Sequence, residues 1–246
     1  MGEPRMFRLG LINPNTDPVH TAAMRNVALA TLPTGSLVVA ASPERGPSSI
    51  ESAADAVVAA AETVALIRSM PAQDAYLIAC FGDPGLEAAR EVMAAPVVGI
   101  GEAAFQAAAL VAKRFGIITT LPRSIPALEE ALERQGIRSR CAAVVPLSIP
   151  VAEQGSHNPG TTEAIVEVGR RLVAERGVDA LVLACGGTAD VAVAVSSSVG
   201  VPVCDGVAFG AMLAFSLWSC GLRTSKSGAY GWPEPIAYTG MPGYGG

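Results

Sequence analysis

The sequence has few charged residues and few aromatic ones. Lys, Arg, Asp and Glu make up 16% of the 246 residues and Phe, Trp and Tyr 5%, whereas 50% of the chain is hydrophobic. This composition excludes a disordered or fibrous protein. The 17 basic residues are outnumbered by 22 acidic ones, which gives a net charge of −5. Because nucleic acids and anionic membranes attract basic surfaces, we predict neither as a partner.

Long hydrophobic runs are also missing. The longest one, 207–222, is interrupted by Gly210, Ser216 and Ser219, and it falls short of the roughly 20 residues of a membrane-spanning helix. The first five residues do not show the charged-then-apolar pattern of a secretory signal. These two observations predict a soluble, cytoplasmic protein.

Cysteine and histidine are scarce. The five cysteines, at 80, 141, 185, 204 and 220, form no Cys-X-X-Cys pair, which predicts reduced thiols and not a disulfide framework. Neither His20 nor His157 has a Cys or His at metal-ligand spacing, so no metal site is predicted. We expect His20 at the surface, near the start of the first helix, and His157 in a solvated loop.

Short apolar segments alternate with Ala-rich helical segments along the whole chain. Most of the apolar segments are continuous and not alternating, which is typical of parallel strands covered by helices on both faces. The fold class is therefore predicted to be α/β with parallel sheets. The predicted strands are 7–12, 36–40, 75–79, 97–100, 115–119, 142–145, 180–184 and 201–204. The predicted helices include 50–69, 84–93, 102–113, 125–134, 161–176 and 207–220.

The chain also contains an internal repeat. Segment 74–82 (Asp-Ala-Tyr-Leu-Ile-Ala-Cys-Phe-Gly) matches 179–187 (Asp-Ala-Leu-Val-Leu-Ala-Cys-Gly-Gly) at an offset of 105 residues, and two shorter blocks match at 106. We infer two similar α/β subdomains related by a pseudo-twofold axis. If they face each other across a cleft, the active site lies in the cleft between them. The first is expected to comprise 1–100 plus 207–246, and the second 101–206.

The repeat places Cys80 and Cys185 at the carboxyl ends of equivalent strands, where ligands of parallel sheets bind. Two thiols on opposite walls of a cleft can invert a stereocentre, because one removes a proton α to a carbonyl and the other delivers a proton from the far side. We expect a helix N-terminus near each thiol to lower its pKa by about one unit. Backbone N–H groups of Gly82, Gly186 and Gly187 are candidates for stabilising the enolate.

Two further signals have structural interpretations. The segment 99–104 (Gly-Ile-Gly-Glu-Ala-Ala) fits a dinucleotide fingerprint, but the next strand ends in threonines where an acidic residue would bind the ribose. Close packing between helix and strand explains these glycines better, and no cofactor is predicted. Asp83 is expected either to titrate in the site or to cap the helix that directly follows it.

Several segments together carry a resemblance to a known family. They are 12–16 (Ile-Asn-Pro-Asn-Thr), 46–51 (Gly-Pro-Ser-Ser-Ile-Glu), 80–86 (Cys-Phe-Gly-Asp-Pro-Gly-Leu), 96–100, 116–120, 184–187, 201–206, 224–226 and 238–240. The chain resembles the aspartate/glutamate racemase superfamily and, within it, the hydantoin racemase branch, which includes allantoin racemases. The segment beginning at Cys80 is the most specific of these matches.

The resemblance implies an isomerase that racemises 5-substituted hydantoins without a cofactor and that assembles as a homo-oligomer. It implies Cys80 and Cys185 as the catalytic pair. Amino-acid racemases of the superfamily usually carry Asp-Ser-Gly near the first strand and Cys-Thr-His after the second cysteine, and both are absent here, which favours a ring substrate. Thr188 stands where the branch usually has Met. The implied substrate contacts are Asn13, Phe81, Gly82, Thr119, Thr120, Gly186 and Gly187.

Two other classes of function remain open at this point. One is a racemase, isomerase or decarboxylase of acyclic amino or dicarboxylic acids in the same superfamily. Arylmalonate-type decarboxylases typically use a single cysteine, so the two matched cysteines count against that member. The other is a non-catalytic module that binds a small molecule in the same cleft.

Overall fold

The computed structural model describes residues 6–154 and 158–239. Strands and helices alternate, and all eight predicted strands are present, with ends that differ from the predicted ones by up to two residues. The strands are β1 (Arg8–Ile12), β2 (Leu37–Ala41), β3 (Ala75–Ile78), β4 (Val97–Gly99), β5 (Phe115–Thr119), β6 (Cys141–Pro146), β7 (Ala180–Leu183) and β8 (Val203–Cys204). The helices are α1 (Pro18–Thr31), α2 (Ala53–Ser69), α3 (Leu86–Val92), α4 (Ile100–Val111), α5 (Ile125–Arg134), α6 (Pro159–Arg176), α7 (Ala192–Val199) and α8 (Gly206–Ser219).

The six predicted helices are confirmed, α1 is the first helix expected near His20, and α7 adds to them. Helix α7 has the sequence Ala-Val-Ala-Val-Ser-Ser-Ser-Val. Val and Ser have weaker intrinsic helix preference than Ala or Leu, so local sequence gives little indication of this helix. Val195 of α7 is fully buried, and packing against the sheet stabilises the helix.

The strands form two parallel sheets of the same topology. The first has the order β2-β1-β3-β4 and the second the order β6-β5-β7-β8. The inner strands β1, β3, β5 and β7 are buried along almost their whole length, as expected for strands with helices on both faces. The predicted α/β class with two similar units is confirmed, whereas the exact division of the chain into 1–100 plus 207–246 and 101–206 stays a prediction.

Helices α4 and α8 cross between the two sheets. Helix α4 follows β4 of the first sheet and packs against β7 and β8 of the second, while α8 follows β8 and packs against β3 and β4 of the first. The two helices also pack against each other. A Cβ atom on Gly206 would overlap the backbone oxygen of Ile100, and one on Gly210 would lie 2.7 Å from Leu77 Cδ1. Glycine is required at 206 because the two helix backbones approach so closely, whereas at 210 it makes room for the Leu77 side chain.

Replacing Gly206 tests this packing. We expect Gly206→Ala to lower the free energy of unfolding by roughly 1–3 kcal/mol, because the added methyl group meets backbone that cannot move aside. Gly160→Ala is the matched control, since its nearest neighbour in the structure would lie at an ordinary 3.4 Å. Urea unfolding followed by circular dichroism measures both variants. Equal stability of the two variants would contradict the close helix contact.

Candidate active site

A cavity of about 1250 Å³ opens at the carboxyl ends of the inner strands and is lined from both halves of the chain. Its lining includes all nine residues that the sequence predicted for the site. They are Asn13, Cys80, Phe81, Gly82, Thr119, Thr120, Cys185, Gly186 and Gly187.

Cys80 and Cys185 occupy equivalent tight turns. Cys80 follows β3, and its backbone oxygen accepts a hydrogen bond from Asp83 N at 2.9 Å. Cys185 follows β7, and its backbone oxygen accepts one from Thr188 N at 3.2 Å. The Cys80 thiol accepts backbone hydrogen bonds from Phe81 and Gly82. The two parallel turns thus aim both thiols into one cavity.

The backbone N–H groups of these turns act as hydrogen-bond donors to the two cysteine sulfur atoms. Gly82 donates to Cys80, and Gly187 and Thr188 donate to Cys185. The N–H groups of Gly82 and Gly187 are also those expected, together with that of Gly186, to stabilise the enolate, and that role stays a prediction. Such donors favour the thiolate over the thiol.

The backbone donors lower the thiol pKa values as expected, but the expected net lowering is wrong. Burial raises the pKa of Cys80 to about 12 and that of Cys185 to about 11. The backbone donors act in the opposite direction but are outweighed, because a charged sulfur loses more solvation than these dipoles return. Asp83 and Cys185 further raise the pKa of Cys80, and Glu51 further raises that of Cys185. A negative charge on Cys185 thus disfavours ionisation of Cys80.

Asn13 organises the loop after β1. Its Nδ2 atom lies 2.6 Å from Asn15 Oδ1 and 2.8 Å from Thr21 Oγ1, and its Oδ1 accepts from Asn15 N. Asn15 Oδ1 in turn accepts from Asp17 N, which is the N-cap of α1. This buried network explains why polar residues follow an apolar strand here.

Three further predicted residues form parts of the cavity wall. The Phe81 ring is buried and packs edge-on against Phe105, with ring centroids 5.3 Å apart. Thr119 and Thr120 end β5, and their backbone oxygens accept hydrogen bonds from Leu147 and Ser148, both at 2.8 Å. Both threonines are buried, so they hold the wall opposite the first sheet in place.

His20 is buried, so the surface position predicted for it is wrong. Only 4% of its surface is exposed. Its Nδ1 lies 3.0 Å from Asp17 Oδ2, and its Nε2 lies 3.2 Å from the backbone oxygen of Gln154 in the second half. A Cβ atom on Gly187 would lie 3.0 Å from His20 Nε2. The sequence did not indicate this, because the covering loop is 134 residues away along the chain. His157 lies outside the described residues.

Glu51 is a cavity residue to which the sequence analysis gave no role. Its Oε1 accepts from Ser49 Oγ at 3.2 Å and from Val151 N, on a loop of the second half, at 3.1 Å. Its charge also contributes to the raised pKa of Cys185. The position of Glu51 in the segment 46–51 was the one signal that could have indicated it.

Asp83 caps a different helix from the one predicted. Its carboxylate accepts from Gly101 N at 2.9 Å and Glu102 N at 2.8 Å, in the first turn of α4, and not from the helix that directly follows it. A Cβ atom on Gly99 would overlap this carboxylate. The glycines of segment 99–104 thus admit Asp83, which supports the structural interpretation of that segment.

Within residues 6–154 and 158–239, no three His, Cys, Asp or Glu side chains are grouped so that they could hold a metal ion. Over the same described residues, no helix has both the length and the apolar character needed to cross a membrane.

The sequence matches known proteins over nearly its whole length. The sequence model of the Asp/Glu/Hydantoin racemase family matches residues 9–214. The chain belongs to this family. The hydantoin racemase of Rhizobium meliloti is 39% identical over 240 residues, which cover 95% of this chain and 98% of the relative.

Solved structures of the family agree with the fold. The allantoin racemase from Klebsiella pneumoniae superposes with a TM-score of 0.92 at 39% identity, over 96% of this chain and 97% of that one. The allantoin racemase from Pseudomonas fluorescens has a TM-score of 0.91 at 31% identity, over 95% of this chain and 100% of that one. These relatives indicate that this family member is a racemase and thus an isomerase.

Alkylation of the thiols tests the burial of the site. We expect iodoacetamide at neutral pH to modify the exposed Cys220 well before Cys80 or Cys185, because only thiolates react and burial raises the pKa of both cavity thiols. Their alkylation should accelerate as the pH rises into the strongly alkaline range. Peptide-resolved mass spectrometry follows each cysteine, with Cys220 as the internal standard. Rapid labelling of both cavity thiols at neutral pH would contradict the assigned pKa directions.

Proposed function

We propose that this protein racemises 5-substituted hydantoins, allantoin among them, by proton transfer between Cys80, Cys185 and the ring carbon next to the carbonyl. The observation that carries the proposal is that two matched cysteines follow equivalent strands and line one cavity. The hydantoin and allantoin racemases that this chain resembles support the substrate class. A cavity of about 1250 Å³ has room for a five-membered ring with a substituent.

The chemistry is a proton relay that conserves atoms and charge. One cysteine, as thiolate, takes the proton from the ring carbon, whose electron pair moves into the adjacent carbonyl as an enolate. The other cysteine, as thiol, gives its proton to the opposite face and becomes the thiolate. The protein then holds the mirror-image charge state, ready for the product enantiomer. No cofactor takes part in this sequence of steps.

The raised thiol pKa values suit this reaction. Burial raises the pKa of both thiols above their ordinary value, so less thiolate is present at neutral pH. The thiolate that does form is a stronger base toward a carbon acid, because proton-transfer rates follow the basicity of the acceptor. The backbone donors at each turn limit the cost of the charge.

The assembly and location form part of the same proposal. We expect a homo-oligomer in the cytoplasm that acts on a small molecule, with neither nucleic acid nor membrane as partner. The net charge of −5 supports the last two expectations. Of the substrate contacts, Asn13, Thr119 and Thr120 supply polar groups at the cavity wall, and the turns after Cys80 and Cys185 supply backbone groups.

Single substitutions of the two cysteines test the mechanism. Cys80→Ser and Cys185→Ser should both abolish racemisation, because inversion needs a group on each face. Each variant should still exchange the substrate proton with D₂O for one enantiomer, and the two variants should prefer opposite enantiomers. Proton NMR on pure enantiomers of a hydantoin measures exchange, and polarimetry measures racemisation.

The control for these variants is Cys220→Ser, which changes an exposed thiol and should leave both rates unchanged. A panel of hydantoins, allantoin and L-aspartate defines the substrate class. Near-normal racemisation by either cavity variant would make that cysteine structural. Turnover of L-aspartate with none of the ring compounds would favour an acyclic substrate, and no turnover at all would favour a binding module.

A further inference from the structure

The two halves of the molecule cap their crossing helices in different ways. At the offset of 106 residues, α4 corresponds to α8 and Gly99 corresponds to Asp205. Asp205 caps α8 from the position just before the helix, accepting from Val207 N at 3.0 Å and Ala208 N at 2.8 Å. The equivalent amides of α4 are capped by Asp83, which lies 18 residues earlier in the chain than the first of them.

The difference reaches the cysteine turns. At the offset of 105 residues, Asp83 corresponds to Thr188. Thr188 bonds within its own turn, because its Oγ1 donates to the Cys185 backbone oxygen at 2.8 Å. Asp83 closes the Cys80 turn through its backbone N–H but sends its carboxylate to α4. Asp83, which caps α4, thus belongs to the Cys80 turn, whereas Asp205, which caps α8, does not belong to the Cys185 turn.

The backbone around Asp83 is built for this connection. Asp83 has a φ of +47°, a left-handed conformation that Asp and Asn adopt more readily than most residues. A Cβ atom on Gly101 would overlap the backbone oxygen of Phe81, the residue that follows Cys80. The Cys80 turn therefore lies directly against the first turn of α4, and side chains at 99 and 101 would separate the two.

We propose, on the basis of the two-thiol racemisation proposed above, that Asp83 is a positioning residue that fastens the Cys80 turn to α4 and makes Cys80 and Cys185 unequal partners. Helix α4 packs on the second sheet, so this fastening holds Cys80 in a set relation to the half that carries Cys185. The second half secures α8 from Asp205 and leaves the Cys185 turn independent of that cap.

The charge of Asp83 influences Cys80, because Asp83 is ionised in the alkaline range in which the Cys80 thiol titrates. Burial raises the pKa of Asp83 to about 8, with Glu102 raising it further and Arg90 and the two capped amides opposing the rise. Glu102 is itself paired with Arg90. Asp83 also raises the pKa of Cys80. Cys185 is influenced instead by Glu51, which belongs to a different loop.

The primary test is Asp83→Asn with Asp205→Asn as its matched control. Asn keeps the size and the left-handed backbone but removes the charge and one of the two acceptors. We expect the pH midpoint of Cys80 alkylation to fall by roughly one unit and that of Cys185 to stay. Asp205→Asn should leave both midpoints unchanged. Peptide-resolved mass spectrometry gives these values without any racemase assay.

A second variant keeps the cap on α4 but removes the attachment of the Cys80 turn to that helix. Asp83→Gly with Gly99→Asp rebuilds the cap in the form that α8 uses, and the backbone angles of Gly99 (φ −95°, ψ 144°) resemble those of Asp205 (φ −93°, ψ 129°). We expect this variant to recover the melting temperature of the parent protein. Proton exchange in D₂O on the face that Cys80 serves should nevertheless stay reduced by roughly tenfold or more, because the turn has lost its anchor.

The outcomes separate the inference from the proposed function. Equal shifts at both cysteines in Asp83→Asn, no shift at Cys80, or full recovery of exchange in the double variant would each overturn the positioning role. If the protein racemises no hydantoin, the proposed function fails, while the alkylation midpoints still decide whether Asp83 acts on Cys80 alone. If Asp83→Asn does not fold, proton exchange by the double variant on the face that Cys80 serves decides whether the anchored turn is needed.

Discussion

The exchange of helices α4 and α8 between the two sheets is the packing on which the site depends. Each helix leaves one sheet and covers the other, and they meet where Gly206 lies against the backbone of Ile100. The carboxyl ends of both sheets consequently border one cavity. Two similar α/β units that each kept their own helix would instead end in two separate crevices, with one cysteine in each.

This arrangement of the two sheets determines the pKa values of Cys80 and Cys185. Cys80 and Cys185 stay partly exposed in one cavity, but the protein that surrounds them displaces part of their water, and this burial raises the pKa of each thiol. Glu51 and Asp83 raise them further. The backbone donors of the two turns oppose this rise without cancelling it. In such a site each thiolate is a stronger base, but a smaller fraction of the thiol is ionised at neutral pH.

The sequence predicted what depends on local pattern and on repetition. Short apolar segments indicated all eight strands, and the repeat indicated the equivalence of Cys80 and Cys185. Properties that depend on distant segments were missed. The burial of His20 comes from a loop 134 residues away, and the direction of the thiol pKa values follows from how completely the two halves enclose the cavity. The helix that Asp83 caps could not be predicted from neighbouring residues either, because the amides that donate to Asp83 lie 18 and 19 residues further along the chain.

The two halves have the same strand order but differ in the side chains next to their cysteine turns. Thermodynamics limits which kinetic measurements can detect this difference. The enantiomers of a substrate with one stereocentre have the same free energy, so the ratio kcat/KM must be equal in the two directions of racemisation. Unequal thiols therefore change kcat and KM together in each direction and leave their ratio balanced. Exchange of the substrate proton with solvent on one face is free of this constraint, because it starts and ends at the same enantiomer. The difference between the Asp83-anchored turn and the turn of Cys185 must accordingly be sought in exchange and in the reactivity of each thiol.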